Sequence, residues 1–242
     1  MRAPVFPGFC YFALFGVLSV AGLTSCTPPA SWNSTNGDRH PTDPGYTSFF
    51  DPYPETALGS SGIAVRFYSA DSSFEGIAGY SFWMFGTASG CAADAGGLVM
   101  AADVDKVIGY SAAGFGIVFA VQAGGADFYA LLIDIAGNWE IGKVVNRVYN
   151  AMGPGWRSSG GVLHCGYNQI NRIGAAVTET ANGVEIAVTL NGTVFASIQD
   201  TDSTVYSDGA FGFVVTTAPG EPSITNPVDV RFGPIVPADL GL

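Results

Sequence analysis

The stretch "LLIDIAGNWEIGKVVN", Leu131 to Asn146, sets two apolar runs on either side of a glycine turn and puts Trp139 beside Glu140. A three-residue loop ending at Gly137 pairs Ile133 with Trp139 and Leu131 with Ile141, and sends Asp134, Asn138 and Glu140 to the other face with Leu132. On this register Trp139 fills a core, and its polar neighbours are the groups that face a ligand. Lys143 then falls beside Tyr129 on the core side, which calls for a bulge at Gly142 or a snorkelling stem.

A second hairpin, "VEIAVTLNGTVFASI" (Val184 to Ile198), is read the same way. A three-residue loop with Gly192 in the left-handed region pairs Val188 with Val194, Ile186 with Ala196 and Val184 with Ile198, all six apolar. Further strands are expected near Ile63 to Tyr68, Phe82 to Phe85, Leu98 to Val107, Gly114 to Gln122, Phe128 to Ile135, Trp139 to Val145, Arg172 to Thr178, Ala210 to Thr216 and Val228 to Ile235. Apolar residues seldom recur at i, i+3, i+4, and 33 glycines and 14 prolines punctuate short alternating runs. The class is all-β, and the spacing suits a two-sheet antiparallel β-sandwich.

The chain of 242 residues is 48% hydrophobic and 12% charged, enough for one sizeable core. All 20 acidic residues and eight of the nine basic ones follow position 26, so that part is net −12. A field of that sign repels phosphate backbones, and no nucleic acid partner is expected.

The first residues, "MRAPVFPGFCYFALFGVLSVAGLTSC", hold one Arg, an apolar run from about Phe9 to Leu23 and small residues before Cys26. The run is short for a membrane span and reads as an export signal over residues 1–25. Leu23-Thr24-Ser25-Cys26 resembles the bacterial lipobox, which implies lipidation of Cys26 and an anchor to the envelope membrane, periplasmic or surface-facing. Residues 26–47 are Pro-, Ser-, Thr- and Asn-rich and read as a flexible tether in which only Trp32 is equipped to dock. The sandwich domain is expected over 48–242. Cys91 and Cys165 are the only other thiols after Cys26; outside the cytoplasm they suit a disulfide, with two buried free thiols as the alternative.

The blocks "GFGIVFAVQ", "DFYALLIDIAGNWEIGKVVNRVY", "NRIGAAV", "VEIAVTLNGTVFASIQD" and "GAFGFVV" resemble, in order, the concanavalin A-like lectin/glucanase superfamily. The nearest branches are the laminin G-like and 3-keto-disaccharide-hydrolase-type domains. The resemblance covers about Leu98 to Val215 and implies a concanavalin A-like jelly roll. It also implies a basic residue where this chain has Ala120.

The glucanase branch carries Glu-x-Asp-x-x-Glu on one strand, and none of the six glutamates here has that neighbourhood. Two weaker acidic pairs share a strand face: Asp103 with Asp105, and Asp134 with Glu140. Asp200, Asp202 and Asp208 offer oxygen ligands to calcium, but the loop lacks the EF-hand glycine and terminal glutamate, so a plain acidic turn is the better reading and no cofactor is expected. His40 and His164 form no zinc spacing or nucleophile-base constellation. Tyr149, Trp156 and Tyr167 flank the Gly/Ser-rich loop "AMGPGWRSSGGVLHCGYNQ", interleaved with Arg157, Asn168 and Gln169. Aromatic faces among planar donors and acceptors suit a sugar-binding rim. The candidate ligand residues are therefore Asp134, Asn138, Glu140, Trp156, Tyr167 and Asn168. The expected work is non-catalytic binding of a glycan or extracellular-matrix ligand; a glycosidase-type hydrolase of the same fold, or a structural envelope lipoprotein, are the alternatives.

Overall fold

The computed structural model describes residues 33–36, 50–53, 64–70, 81–86, 92–93 and 97–233. These hold strands β1 (Asn33–Asn36), β2 (Phe50–Tyr53), β3 (Ala64–Ser69), β4 (Ser81–Gly86), β5 (Ala92–Ala93), β6 (Gly97–Ile108), β7 (Phe115–Val121) and β8 (Phe128–Ile133). They continue with β9 (Asn138–Val145), β10 (Val148–Ala151), β11 (Arg157–Ser158), β12 (Asn171–Thr180), β13 (Gly183–Leu190), β14 (Thr193–Asp200), β15 (Ala210–Thr216) and β16 (Val228–Phe232). One sheet runs β1-β4-β15-β7-β8-β9-β10 with β11 beside β9, and the other runs β14-β13-β12-β6-β16-β3-β2 with β5 beside β6. Every pairing is antiparallel. The fold is the all-β, two-sheet antiparallel sandwich that the alternating runs predict.

Each strand expected from the sequence is present. Those not foreseen (β1, β2, β5, β10 and β11) have two to four residues, too few for a period to show. The export signal, Cys26, Trp32, His40 and Cys91 lie outside the described residues. Asn33–Asn36, within the segment expected as a tether, pairs with β4 from Asn33↔Phe85 to Asn36↔Phe82. An edge strand is held by backbone hydrogen bonds, so polar composition does not exclude it.

The core lies between the sheets. Phe115, Ile117, Phe119, Tyr129, Leu131, Ile133, Trp139, Ile141, Phe211 and Phe213 project from the first sheet. Met100, Val104, Ile173, Val177, Ile186, Val188, Val230 and Phe232 meet them from the second, with Phe213 and Phe232 stacked at 4.4 Å between centroids.

The Leu131–Asn146 hairpin has the expected register, with Ile133↔Trp139, Leu131↔Ile141 and Tyr129↔Lys143. Asp134 N donates to Asn138 O at 3.0 Å, and Gly137 takes φ +83°, which closes the three-residue loop. Neither expected accommodation of Lys143 occurs. Pairing through Gly142 is regular, and the lysine is 4% exposed, with Nζ 2.7 Å from Asp200 Oδ2. A buried carboxylate, rather than water, receives the ammonium.

The other hairpin register is corrected by two residues. Asn191 (φ +49°) and Gly192 (φ +77°) form a two-residue turn pairing Leu190 with Thr193, and a bulge at Phe195 then aligns Val188 with Ala196 and Ile186 with Ile198. Val194 is left 49% exposed. The bulge restores apolar pairing, and Phe195 sits edge-on to Trp139 with centroids 5.4 Å apart. A second irregularity explains Ala120: it takes φ +50° where the β7–β15 register shifts, and it is fully buried.

Candidate functional site

Strands β7 and β8 are buried along their whole length, so the first sheet is apolar on both faces. Trp83, Val118, Phe128, Ala130, Leu132, Val144 and Val214 form a cluster on the face turned away from the other sheet. Glu140, paired with Leu132, points to this outer face, as the register requires.

A cavity of about 420 Å³ opens here, floored by Trp83, Phe128, Ala130, Leu132, Val144 and Val214. Tyr110, Arg147, Tyr149, Trp156 and Pro219 also line it. The edge of β9 is shared by β10 and β11, and the segment between them leaves the edge after Met152 N bonds to Ile141 O at 2.8 Å. Trp156 reaches across to Gly114, where a side chain would lie 3.0 Å from its ring. Tyr149 lies over Gly142 so closely that a Cβ there would stand 2.3 Å from the ring. Both aromatic placements therefore depend on glycine. Lys106 braces the adjoining loop: it is 1% exposed, and Nζ donates to Tyr110 O at 2.7 Å and Ala113 O at 2.9 Å. Burial lowers its pKa to about 8 against the opposing pull of Glu221 and Asp134.

Glu140 is 5% exposed, and it is the only acidic residue among the described residues lining the cavity. Burial raises its pKa above the ordinary carboxyl value, opposed by a hydrogen bond from the Tyr149 hydroxyl and by the charge of Arg157. The Tyr149 hydroxyl is pushed up in turn by burial, the Glu140 charge and that same bond. Arg157 stacks over Trp139 with its guanidinium carbon 3.9 Å from the ring centroid.

Of the six ligand candidates, the structure brings together Glu140 and Trp156. Asp134 and Asn138 serve the hairpin instead: Asp134 Oδ1 accepts from Ala136 N and Asn138 N, each at 2.9 Å, and Oδ2 accepts from Asn138 Nδ2 at 2.9 Å. Tyr167 lies in a neighbouring depression of about 550 Å³ that shares Tyr110 and Pro219 with the first, and its hydroxyl donates to Gly109 O at 2.5 Å. Asn168 takes the left-handed turn conformation (φ +57°), its amide bonded to Lys106 O at 3.0 Å.

Asp103 and Asp105 each stand opposite an arginine of the second sheet, Arg172 and Arg231. Asp200 and Asp202 receive Lys143 at 2.7 and 3.2 Å, so these two carboxylates hold an ammonium, and Asp208 is engaged through its backbone carbonyl with Gln122. No three His, Cys, Asp or Glu residues are grouped to hold a metal among the described residues. Cys165 is an exposed free thiol in this structure, 3.5 Å from Ala136 O, and its expected partner Cys91 is not among the described residues. His164 Nδ1 lies 3.0 Å from Ile170 O.

The sequence reasoning missed Trp83, Tyr110 and Arg147. Trp83 and Tyr110 are brought in by non-local pairing and by a loop. Arg147 was hidden in the Asn146-Arg147 pair, which forms the two-residue turn joining Val145 to its partner Val148.

No protein-family model matches the chain, and no curated protein matches it in sequence. Among solved structures it is similar to the carbohydrate-binding module CBM66 from Bacillus subtilis, with 12% identity, TM-score 0.45, and coverage of 84% of this chain and 92% of that one. A GH131 beta-glucanase catalytic domain from Podospora anserina is similar at 9% identity and TM-score 0.39, covering 78% of each chain. The galectin LEC-6 from Caenorhabditis elegans is similar at 9% identity and TM-score 0.30, covering 57% of this chain and 84% of that one. These likenesses concern the path of the chain alone.

Proposed function

We propose that this chain is an exported, lipid-anchored module that binds a glycan or matrix ligand without cleaving it. The observation that carries the reading is the cavity on the outer face of the first sheet. Trp156, Tyr149 and Tyr110 rim an apolar floor, and among the described lining residues one carboxyl group, that of Glu140, stands with them. Aromatic faces stack on the C–H faces of sugars, and a few polar groups in a largely apolar site fix orientation. Glycoside hydrolysis with retention uses two carboxyl groups about 5–5.5 Å apart. Glu140 has no second acid beside it among the described lining residues.

Incubation of the chain with a glycan panel tests this. We expect retention of a glycan with no release of reducing ends, and Glu140→Gln to keep part of the affinity, because its amide retains one acceptor oxygen for Tyr149. Turnover that Glu140→Gln abolishes would make the protein an enzyme. The same variant carries a pH signature. A raised carboxyl pKa contributes stability that is present below the unfolded value and lost as pH rises through the folded one. Glu140→Gln should therefore gain stability relative to wild type as pH rises from 4 to 7, as read by urea unfolding.

The anchor rests on the lipobox resemblance at Cys26. Cys26→Ala should accumulate at precursor size and take up no labelled fatty acid. Equal labelling of the variant would remove the anchor from the account.

A further inference from the structure

Tyr110 and Pro219 line both the cavity around Glu140 and the neighbouring depression of about 550 Å³, so the two hollows adjoin across a common ridge. Tyr110 is 55% exposed on this ridge, and Tyr167, 41% exposed, stands in the depression beyond it. The second hollow repeats the chemistry of the first, an aromatic ring beside a carboxyl group. Glu221 is its one acidic residue among the described lining residues, and Ser111, Thr225 and Asn226 add hydroxyl and amide groups.

Both walls of the depression are fixed by the protein itself. On one side Lys106 Nζ holds the Tyr110 and Ala113 carbonyls, and Asn168 N donates to Lys106 O at 3.0 Å, which ties the turn carrying Tyr167 to the end of β6. The Tyr167 hydroxyl donates to Gly109 O, so the polar end of the side chain is anchored while its ring remains partly open. On the other side Glu221 N donates to Ala218 O at 3.1 Å, and Glu221 Oε2 accepts from Ala218 N at 3.3 Å. Ser223 N donates to Asn226 O at 3.0 Å, and Asn226 N to Ser223 Oγ at 3.1 Å, which closes that loop on itself. Glu221 is 6% exposed, and its charge is felt at the Tyr167 hydroxyl, whose pKa is raised by burial and by this neighbour. Groups held in place before a ligand arrives cost little further ordering on binding.

We propose that the depression around Tyr167 is a second saccharide subsite, taking the neighbouring unit of a chain whose first unit lies in the Glu140 cavity, with Tyr110 between the two. The inference rests on the glycan reading and narrows the ligand to saccharides of two or more units. The Tyr167 ring supplies a stacking face, and Ser111 and Asn226 supply hydrogen-bond partners for hydroxyl groups. Once the first unit is seated, capture of the second is intramolecular, so affinity rises with chain length.

The test uses the full chain and, for each saccharide retained from the glycan panel, a series of increasing length starting from the single unit, titrated by calorimetry. We expect the two-unit and longer members to bind wild type about tenfold or more tightly than the single unit. Tyr167→Ala should bind the single unit as wild type does and lose the gain with length, whereas Tyr167→Phe, which keeps the ring and gives up only the bond to Gly109 O, should keep most of it. Ser111 is exposed, and Ser111→Leu fills the depression from the opposite wall with a group that makes no hydrogen bond. That variant should melt with wild type, bind the single unit normally and show no gain with length. Affinity independent of length in wild type, or a gain that survives in Ser111→Leu, would overturn the inference and leave the glycan reading standing. Retention of no saccharide of any length would overturn both.

Discussion

Asp200→Ala should destabilise the protein by about 3–5 kcal/mol, because it strands a buried ammonium. Asp200 is 4% exposed and receives Lys143 at 2.7 Å, the Tyr129 hydroxyl at 2.5 Å and the Asp202 amide at 3.0 Å. Lys143 also donates to Thr204 O and lies 5.3 Å from the Tyr206 ring centroid, so β9, β8 and the segment after β14 meet at this one charge pair. Burial alone would raise the Asp200 pKa, but the bonds from Lys143, Tyr129 and the Asp202 amide outweigh it and hold it below the ordinary value. Burial likewise opposes the charge on Lys143, and its two carboxylate partners reverse that and raise its pKa. Asp200 therefore contributes stability above the unfolded carboxyl pKa that is lost as pH falls through its folded value. The Lys143 contribution is present below the unfolded amine pKa and lost as pH rises through its folded one. The double variant Lys143→Met/Asp200→Leu should recover most of the loss, since an apolar pair leaves no uncompensated charge. Urea unfolding of wild type, both single variants and the double variant gives the coupling directly. A loss in the double variant equal to the sum of the two single losses would show that the pair is not coupled.

Trp139→Ala should cost about 3–5 kcal/mol, as for other buried aromatic truncations. The ring is 2% exposed and held between the Arg157 guanidinium and the Phe195 edge. It joins the β9–β11 edge of one sheet to the bulged strand β14 of the other. A ligand platform would lose binding with its unfolding midpoint intact; this residue should lose the midpoint. An unchanged midpoint would mean that the cross-sheet contact is worth little.

The difference between what was legible and what was not follows from range. The period-2 pattern of "LLIDIAGNWEI" settled both the hairpin and the face of Glu140, because only one register puts apolar opposite apolar. In "VTLNGTVFASI" the same logic found the correct face and missed the register by two, since a bulge at Phe195 gives an equally apolar solution that also fills the gap beside Trp139. Lys143 beside Tyr129 was legible as a conflict, but its solution was not, because Asp200 comes from a strand of the opposite sheet. The site was half legible: Glu140 and Trp156 converge, whereas Asp134 and Asn138 close their own turn. Strand β8 reads "FYALLI", apolar on both faces, and that was the available sign that the outer face is also covered.

The central claim is that the cavity around Glu140 holds a glycan and leaves it intact. The most direct measurement is to incubate the chain with the glycan panel and follow, in the same samples, saccharide retained and reducing ends released. The account predicts retention with no new reducing ends, weakened but not abolished by Glu140→Gln. New reducing ends that disappear in Glu140→Gln, or no saccharide retained at all, would contradict it.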